Sequence, residues 1–212
     1  MNEKLIYKNP DGKDVYSYTL TGDKGFSIEV MNLGAATLRI NAPSKGGDIR
    51  DVVLGHENIT EYFNSPTYFG LTILPCSNRI ADGAFTLNGI TYHTDRNDGD
   101  NTNHSGASGL CFRVFDVTAK SDNAVTFSYD LKDGEIGFPG NMHFDVTYRV
   151  KGTSMIIDYH AISDKDSVFN PTNHSYYNLK GHGNGDILDH KLIVYADEVT
   201  FADEHSITDG SI

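Results

Sequence analysis

The sequence predicts an all-β fold, an antiparallel sandwich or barrel with one face able to hold a ligand. Three observations predict it. Nearly every structured stretch alternates apolar and polar residues with period two. Helical signal is scarce. The 21 glycines fall mostly between the alternating runs, where turns belong.

Taken along the chain, strands are predicted at about Leu5–Lys8, Val15–Thr21, Phe26–Met31, Ala36–Asn41 and Asp51–Leu54. Asn58-Ile59-Thr60-Glu61-Tyr62-Phe63 reads as one short helical turn capped by Asn58. Phe85 to Tyr92 is a hairpin around Asn88-Gly89, since both central turn positions need positive φ, which Asn and Gly tolerate. Strands follow at Phe112–Thr118 and Val125–Leu131. The cleanest alternation is His143–Val150, with Phe144, Val146, Tyr148 and Val150 on one side and Asp145, Thr147 and Arg149 on the other. After Lys151-Gly152-Thr153-Ser154 comes Met155–Ile162, completing a second hairpin. A last strand is predicted at His190–Tyr195. Asp95 to Gly109 is long, polar and glycine-rich, and a loop of that length is functional or disordered.

Composition narrows the function. The chain has 212 residues, 38% of them hydrophobic, enough for a single domain over residues 1–212. Its net charge of -12, from 17 basic and 29 acidic side chains, argues against nucleic acid or an anionic membrane as partner. Two cysteines, Cys76 and Cys111, are too few for a disulfide scaffold. No stretch is long enough to span a bilayer, and without an apolar leader the expected location is a reducing cytoplasm, where the glycosylation sequons at Asn58, Asn103 and Asn173 have no meaning as acceptors.

Three segments pair a proton carrier or a charge with Asn, Gly or Pro: Asn78-Arg79-Ile80, Asn103-His104-Ser105-Gly106 and Pro171-Thr172-Asn173-His174-Ser175-Tyr176. Taken singly, a His in a β protein is more often structural than functional and an Arg is most often a surface charge, while a glycine-rich loop is a plain connection about as often as a functional one. The nine histidines show neither H-x-H nor H-E-x-x-H spacing, so a metal site is not expected. There is no G-x-S-x-G, and neither cysteine sits beside an obvious His partner in sequence, so neither nucleophilic reading is strong.

Together and in this order, the three segments resemble the aldose 1-epimerase family. Pro171-Thr172-Asn173-His174-Ser175-Tyr176-Tyr177-Asn178-Leu179 carries the resemblance most specifically, with Tyr177 where the family typically has Phe. Asn78 to Gly83 with the following hairpin resembles the family's Asn-Arg-Ile strand, and Leu74-Pro75 before it one branch of that family. Asn103-His104-Ser105-Gly106 resembles a Leu-His-Gly-Gly motif with two substitutions. Asp189 to Leu192 and Asp203 to Gly210 resemble the segment after the histidine motif. The resemblance implies a galactose mutarotase-like antiparallel β-supersandwich, incomplete at its C-terminal side, and interconversion of the α and β anomers of free aldohexoses without a cofactor. It implies His174 as general acid, Arg79 and His104 as groups that hydrogen-bond the sugar oxygens, Asn78 beside them, and Tyr176 as a sugar-stacking face. The family's general-base Glu and a sugar-binding Asp have no counterpart here. Glu198 and Glu204 are the nearest glutamates downstream of His174, with no motif to make either a base.

Three readings stay open at this point: an epimerase of which the chain is part, a sugar-binding remnant without efficient turnover, and a β-sandwich interaction module. Unpaired sheet edges would favour homo-oligomers in the first two. A sugar-phosphate epimerase is disfavoured by the acidic balance.

Overall fold

The computed structural model describes residues 1–10, 12–208 and 210–212; Asp11 and Asp209, the latter within the Thr208-Asp209-Gly210 turn, lie outside that description. In chain order the strands are β1 (Asn2–Tyr7), β2 (Val15–Thr21), β3 (Ser27–Met31), β4 (Ala36–Pro43), β5 (Ile49–Asp51), β6 (Thr72–Ile73), β7 (Arg79–Ile80), β8 (Ala84–Leu87), β9 (Ile90–His93), β10 (Thr102–Asn103), β11 (Asp116–Ser121), β12 (Ala124–Leu131), β13 (Met142–Lys151), β14 (Ser154–Ser163) and β15 (Thr172–Asn173). Strands β1 to β5 form one antiparallel meander and β11 to β14 a second. Three two-stranded ladders, β6–β15, β7–β10 and β8–β9, fill the connections.

The two meanders face each other. Alternation makes Phe144, Val146, Tyr148 and Val150 the inner face of β13, and all four are buried. They share a core with Tyr18, Leu20, Ile28 and Val30 of the other sheet. The Tyr18 and Phe127 rings meet at 5.7 Å between centroids. A smaller core holds Met31, Leu33, Tyr62, Leu71, Ile73 and Cys111.

The helical turn expected at Asn58 is a 3-10 turn over Ile59–Asn64, with Asn58 Oδ1 accepting from Thr60 N–H at 3.0 Å. The Asn88-Gly89 turn has φ of 53° and 78°, as an Asn-Gly hairpin requires. The loop Asp95–Gly109 is ordered: the Asn97 side chain accepts from Asn103 N–H at 2.7 Å and donates to Asn103 O at 3.0 Å.

Three expected strands are corrected. Residues 113–115 do not extend β11, because Gly34 N–H donates to Arg113 O and Phe115 N–H to Asn32 O, both at 2.8 Å; the strand starts at Asp116, after a 3-10 turn at Leu110–Phe112. Residues 52–54 leave β5 to bond residues 176–178, with Leu54 N–H donating to Tyr176 O at 2.9 Å and Asn178 N–H to Val52 O at 2.8 Å. His190–Tyr195 forms no strand, since it has no ladder neighbour among the described residues. Leu192 and Tyr195 there are 87% and 97% exposed.

Candidate active site

The site is assembled from two of the three short ladders, β6–β15 and β7–β10. Strand β15 ends one residue before His174. It pairs with β6 through Thr172↔Ile73 and Asn173↔Thr72, and His174 continues the ladder by donating its N–H to Leu71 O at 2.8 Å. Its carbonyl accepts from Gly70 N–H at 3.1 Å. Gly70 sits at φ 64°, where an added Cβ would come within 1.9 Å of Thr37 O, so only glycine fits this approach.

Alternation turns Asn173 inward and His174 outward. Asn173 Nδ2 donates to the hydroxyl of Tyr148 at 3.1 Å and to Gly70 O at 3.0 Å. Tyr148 is fully buried, and its hydroxyl donates to Ala35 O at 2.7 Å. The residue before His174 is therefore clamped to the core by a satisfied polar network.

On the outward side the His174 ring lies edge-to-face on His104, with centroids 4.9 Å apart and planes at 77°. Tyr176 stands 5.2 Å from the His174 ring and 5.2 Å from that of Phe69. It is 41% exposed, which excludes a purely core role.

His104 and Asn78 extend the β7–β10 ladder in the same manner. His104 N–H donates to Asn78 O, and Asn78 N–H donates to His104 Nδ1, each at 3.0 Å. Burial, then the neighbouring His174 and Arg79, push the His104 imidazole down from its ordinary 6.5 to about 4. The ring is neutral at pH 7. Since Nδ1 accepts, its proton is on Nε2.

Arg79 follows Asn78 on β7. Its Nε donates to Asp98 Oδ2 at 2.7 Å. Both partners are half-buried, and the pair's effect on the site is to aim the guanidinium. Arg79 also lines a cavity of about 230 Å³ with Asp98, Asn101, Glu204 and His205. A second cavity, of about 400 Å³, is lined by Lys4, Arg39, Asp51, His56 and His182 and contains none of the five expected site residues. Ring geometry and ladder continuity, rather than concavity, bring those five together.

Three further residues enter the site without a sequence signal of their own: Tyr68, Asn97 and Asp98. The Tyr68 ring touches those of His104 at 4.8 Å and His174 at 5.7 Å. Burial pushes its phenol up, and the Asn97 side chain hydrogen-bonds it. Tyr68 has φ 55°, an uncommon conformation for an aromatic residue and a local mark of a constrained site. Asn97 and Asp98 belong to the polar loop, whose length marked it for attention but whose individual side chains it did not separate. Neither cysteine is a nucleophile in waiting: burial raises both thiols, Cys111 to about 12.

Among the described residues no helix is long and apolar enough to cross a membrane. The model of the aldose 1-epimerase family matches residues 16–212. The chain is 34% identical over 198 residues to galactose mutarotase of Sus scrofa, covering 93% of this chain and 57% of that protein. It is likewise 34% identical over 199 residues to aldose 1-epimerase of Escherichia coli K12, again 93% and 57% of the two chains. Among solved structures, an aldose epimerase homologue from C. elegans superposes with a TM-score of 0.81 at 28% identity, over 92% of this chain and 60% of that one. Galactose 1-epimerase of Lactobacillus acidophilus gives 0.72 at 26%, over 84% and 53%. The chain thus has the antiparallel galactose mutarotase-like fold and spans about 57% of the length of the relatives it matches. It belongs to the aldose 1-epimerase family.

Proposed function

We propose that these residues carry the acid side of an aldose 1-epimerase site that interconverts the α and β anomers of free aldohexoses such as galactose and glucose. The observation that carries this reading is the His104–His174 pair, two imidazoles from segments 70 positions apart held edge-to-face at 4.9 Å. The names of two relatives, a galactose mutarotase and an aldose 1-epimerase, support it.

Ring opening moves two protons. His174 delivers one to the ring oxygen as the bond from C1 to that oxygen breaks, while a base takes the proton of the C1 hydroxyl and its electrons form the carbonyl. Rotation about C1–C2 and the reverse steps give the other anomer. His104 Nε2–H and the Arg79 guanidinium hydrogen-bond sugar oxygens, Asn78 lies beside them, and Tyr176 offers a face for the sugar ring. The base is a carboxylate outside these residues, in the part of the family fold that has no counterpart here.

The same reading includes a single domain over residues 1–212, a cytoplasmic location and no partnership with nucleic acid or membrane, in keeping with the charge of -12. It also includes homo-oligomers formed through exposed sheet edges. A second reading is sugar binding without turnover. Polarimetry of freshly dissolved α-galactose or α-glucose separates them. Faster mutarotation than buffer is expected if the chain is catalytic, and His174→Asn should lower that acceleration by about 10²- to 10⁴-fold, ~3–5 kcal/mol of barrier. Full activity in the variant would end the assignment of His174. Hexose binding by isothermal titration with no rate effect would favour the second reading.

A further inference from the structure

His104 is held by a contact that its own side-chain chemistry does not dictate. The ring folds back on the ladder, and Asn78 N–H donates to Nδ1 at 3.0 Å while the two backbones exchange a second bond at 3.0 Å. This adds one step to the Arg79↔Asn103 pairing of β7 and β10. A backbone amide is a donor only, so the bond exists only while Nδ1 keeps its lone pair. The geometry depends on two residues in the left-handed region, Asn78 at φ 60° and His104 at φ 52°. That region is strained for most side chains and least so, after glycine, for asparagine.

The Asn78 side chain is exposed, and its one bond among the described residues is a long one, accepted from Arg79 Nη1 at 3.4 Å. The backbone is what engages the site. We propose that Asn78 is a positioning residue: its left-handed backbone presents an N–H to His104 Nδ1 and thereby fixes the Nε2–H tautomer, keeping His104 a permanent hydrogen-bond donor toward the cleft. This rests on the epimerase reading for the use made of the donor, a sugar oxygen; the tautomer itself stands on the geometry.

The test reads the tautomer directly. Long-range ¹H–¹⁵N correlation on the ¹⁵N-labelled chain at pH 7 distinguishes the two neutral imidazole forms. Wild type should show His104 as Nε2–H. Asn78→Gly, which keeps the backbone conformation at no steric cost, should show the same. Asn78→Val, whose branched side chain opposes positive φ, should give a mixture with the Nδ1–H form, with the signals of His143, on β13 of the other sheet, unmoved as a control for folding. Asn78→Ala opposes positive φ more mildly and serves if valine prevents folding.

An Nδ1–H majority in wild type overturns the proposal. So does a wild-type tautomer pattern in folded Asn78→Val and Asn78→Ala, because Asn78 would then not be what sets it. Polarimetry on the same samples keeps the two claims apart. An Nε2–H signature without mutarotation counts against the epimerase reading alone. Mutarotation with an Nδ1–H ring counts against the tautomer proposal alone.

Discussion

His104 and His174 share one cleft under different constraints. The His174 ring meets three other rings, and its backbone is fixed on both sides, whereas His104 is fixed through a ring nitrogen. This has a consequence for pH. His104 takes up its proton near 6.5 when unfolded and near about 4 when folded. Between those values the unfolded chain binds more protons, so stability rises with pH; the His104 contribution is complete above about 6.5 and is lost as pH falls toward 4. His143 acts with the opposite sign, because donating a hydrogen bond to the Asp130 carboxylate raises it, so its contribution is present at low pH and lost as pH rises through its folded value. Residue-resolved imidazole titration separates them: near about pH 5.5 His104 should still be neutral and His143 charged. Titration of His104 at its ordinary value would contradict the burial argument. At this scale the histidines were legible because each stands in a short motif of unusual residues. Tyr68 and Asp98 were not, because their roles come from which loops the fold brings together.

Strands were legible where both neighbours lie in the same sheet. Residues 143–150 read correctly because period-two burial is complete along β13, with β12 on one side and β14 on the other. Residues 113–115 and 52–54 misread because their hydrogen bonds go to residues 32–34 and 176–178, partners that alternation cannot reveal. Those same crossings position the site, since the 52–54 segment holds Tyr176. Strand β15 is two residues long, too short for any periodic signal, and depends on Asn173 reaching the buried Tyr148 hydroxyl. Tyr148→Phe keeps the ring volume and removes the shared hydroxyl, leaving Ala35 O and Asn173 Nδ2 each without one bond. It should cost roughly 1–3 kcal/mol in denaturant unfolding and disturb the His174 ring signals, the position next in sequence. An unchanged midpoint would show that the network is not what anchors β15.

Across the whole molecule, two facing sheets carry a site built on two short ladders and the loops beside them, so the fold class was readable from alternation while the site had to be assembled by topology. The second sheet ends on β14, a ten-residue strand whose only ladder neighbour among the described residues is β13. Its inward residues Met155, Ile157, Tyr159 and Ala161 are only partly buried, unlike the Phe144 to Val150 stripe they flank, and Ile162 on the other face is 59% exposed. Long apolar edges of this kind recruit another strand unless charge blocks them. The proposed homo-oligomer would use this edge. Light scattering across a concentration series should then show the mass rising above that of one chain. Paired substitution of Ile156→Lys and Ile162→Lys, both exposed and at the outer strand, should hold the chain monomeric with the wild-type unfolding midpoint. A wild-type mass that stays at one chain throughout the series would remove the edge as an oligomer surface. A double variant that still assembles would move the contact elsewhere, the exposed Leu192–Tyr195 run being the next surface to substitute.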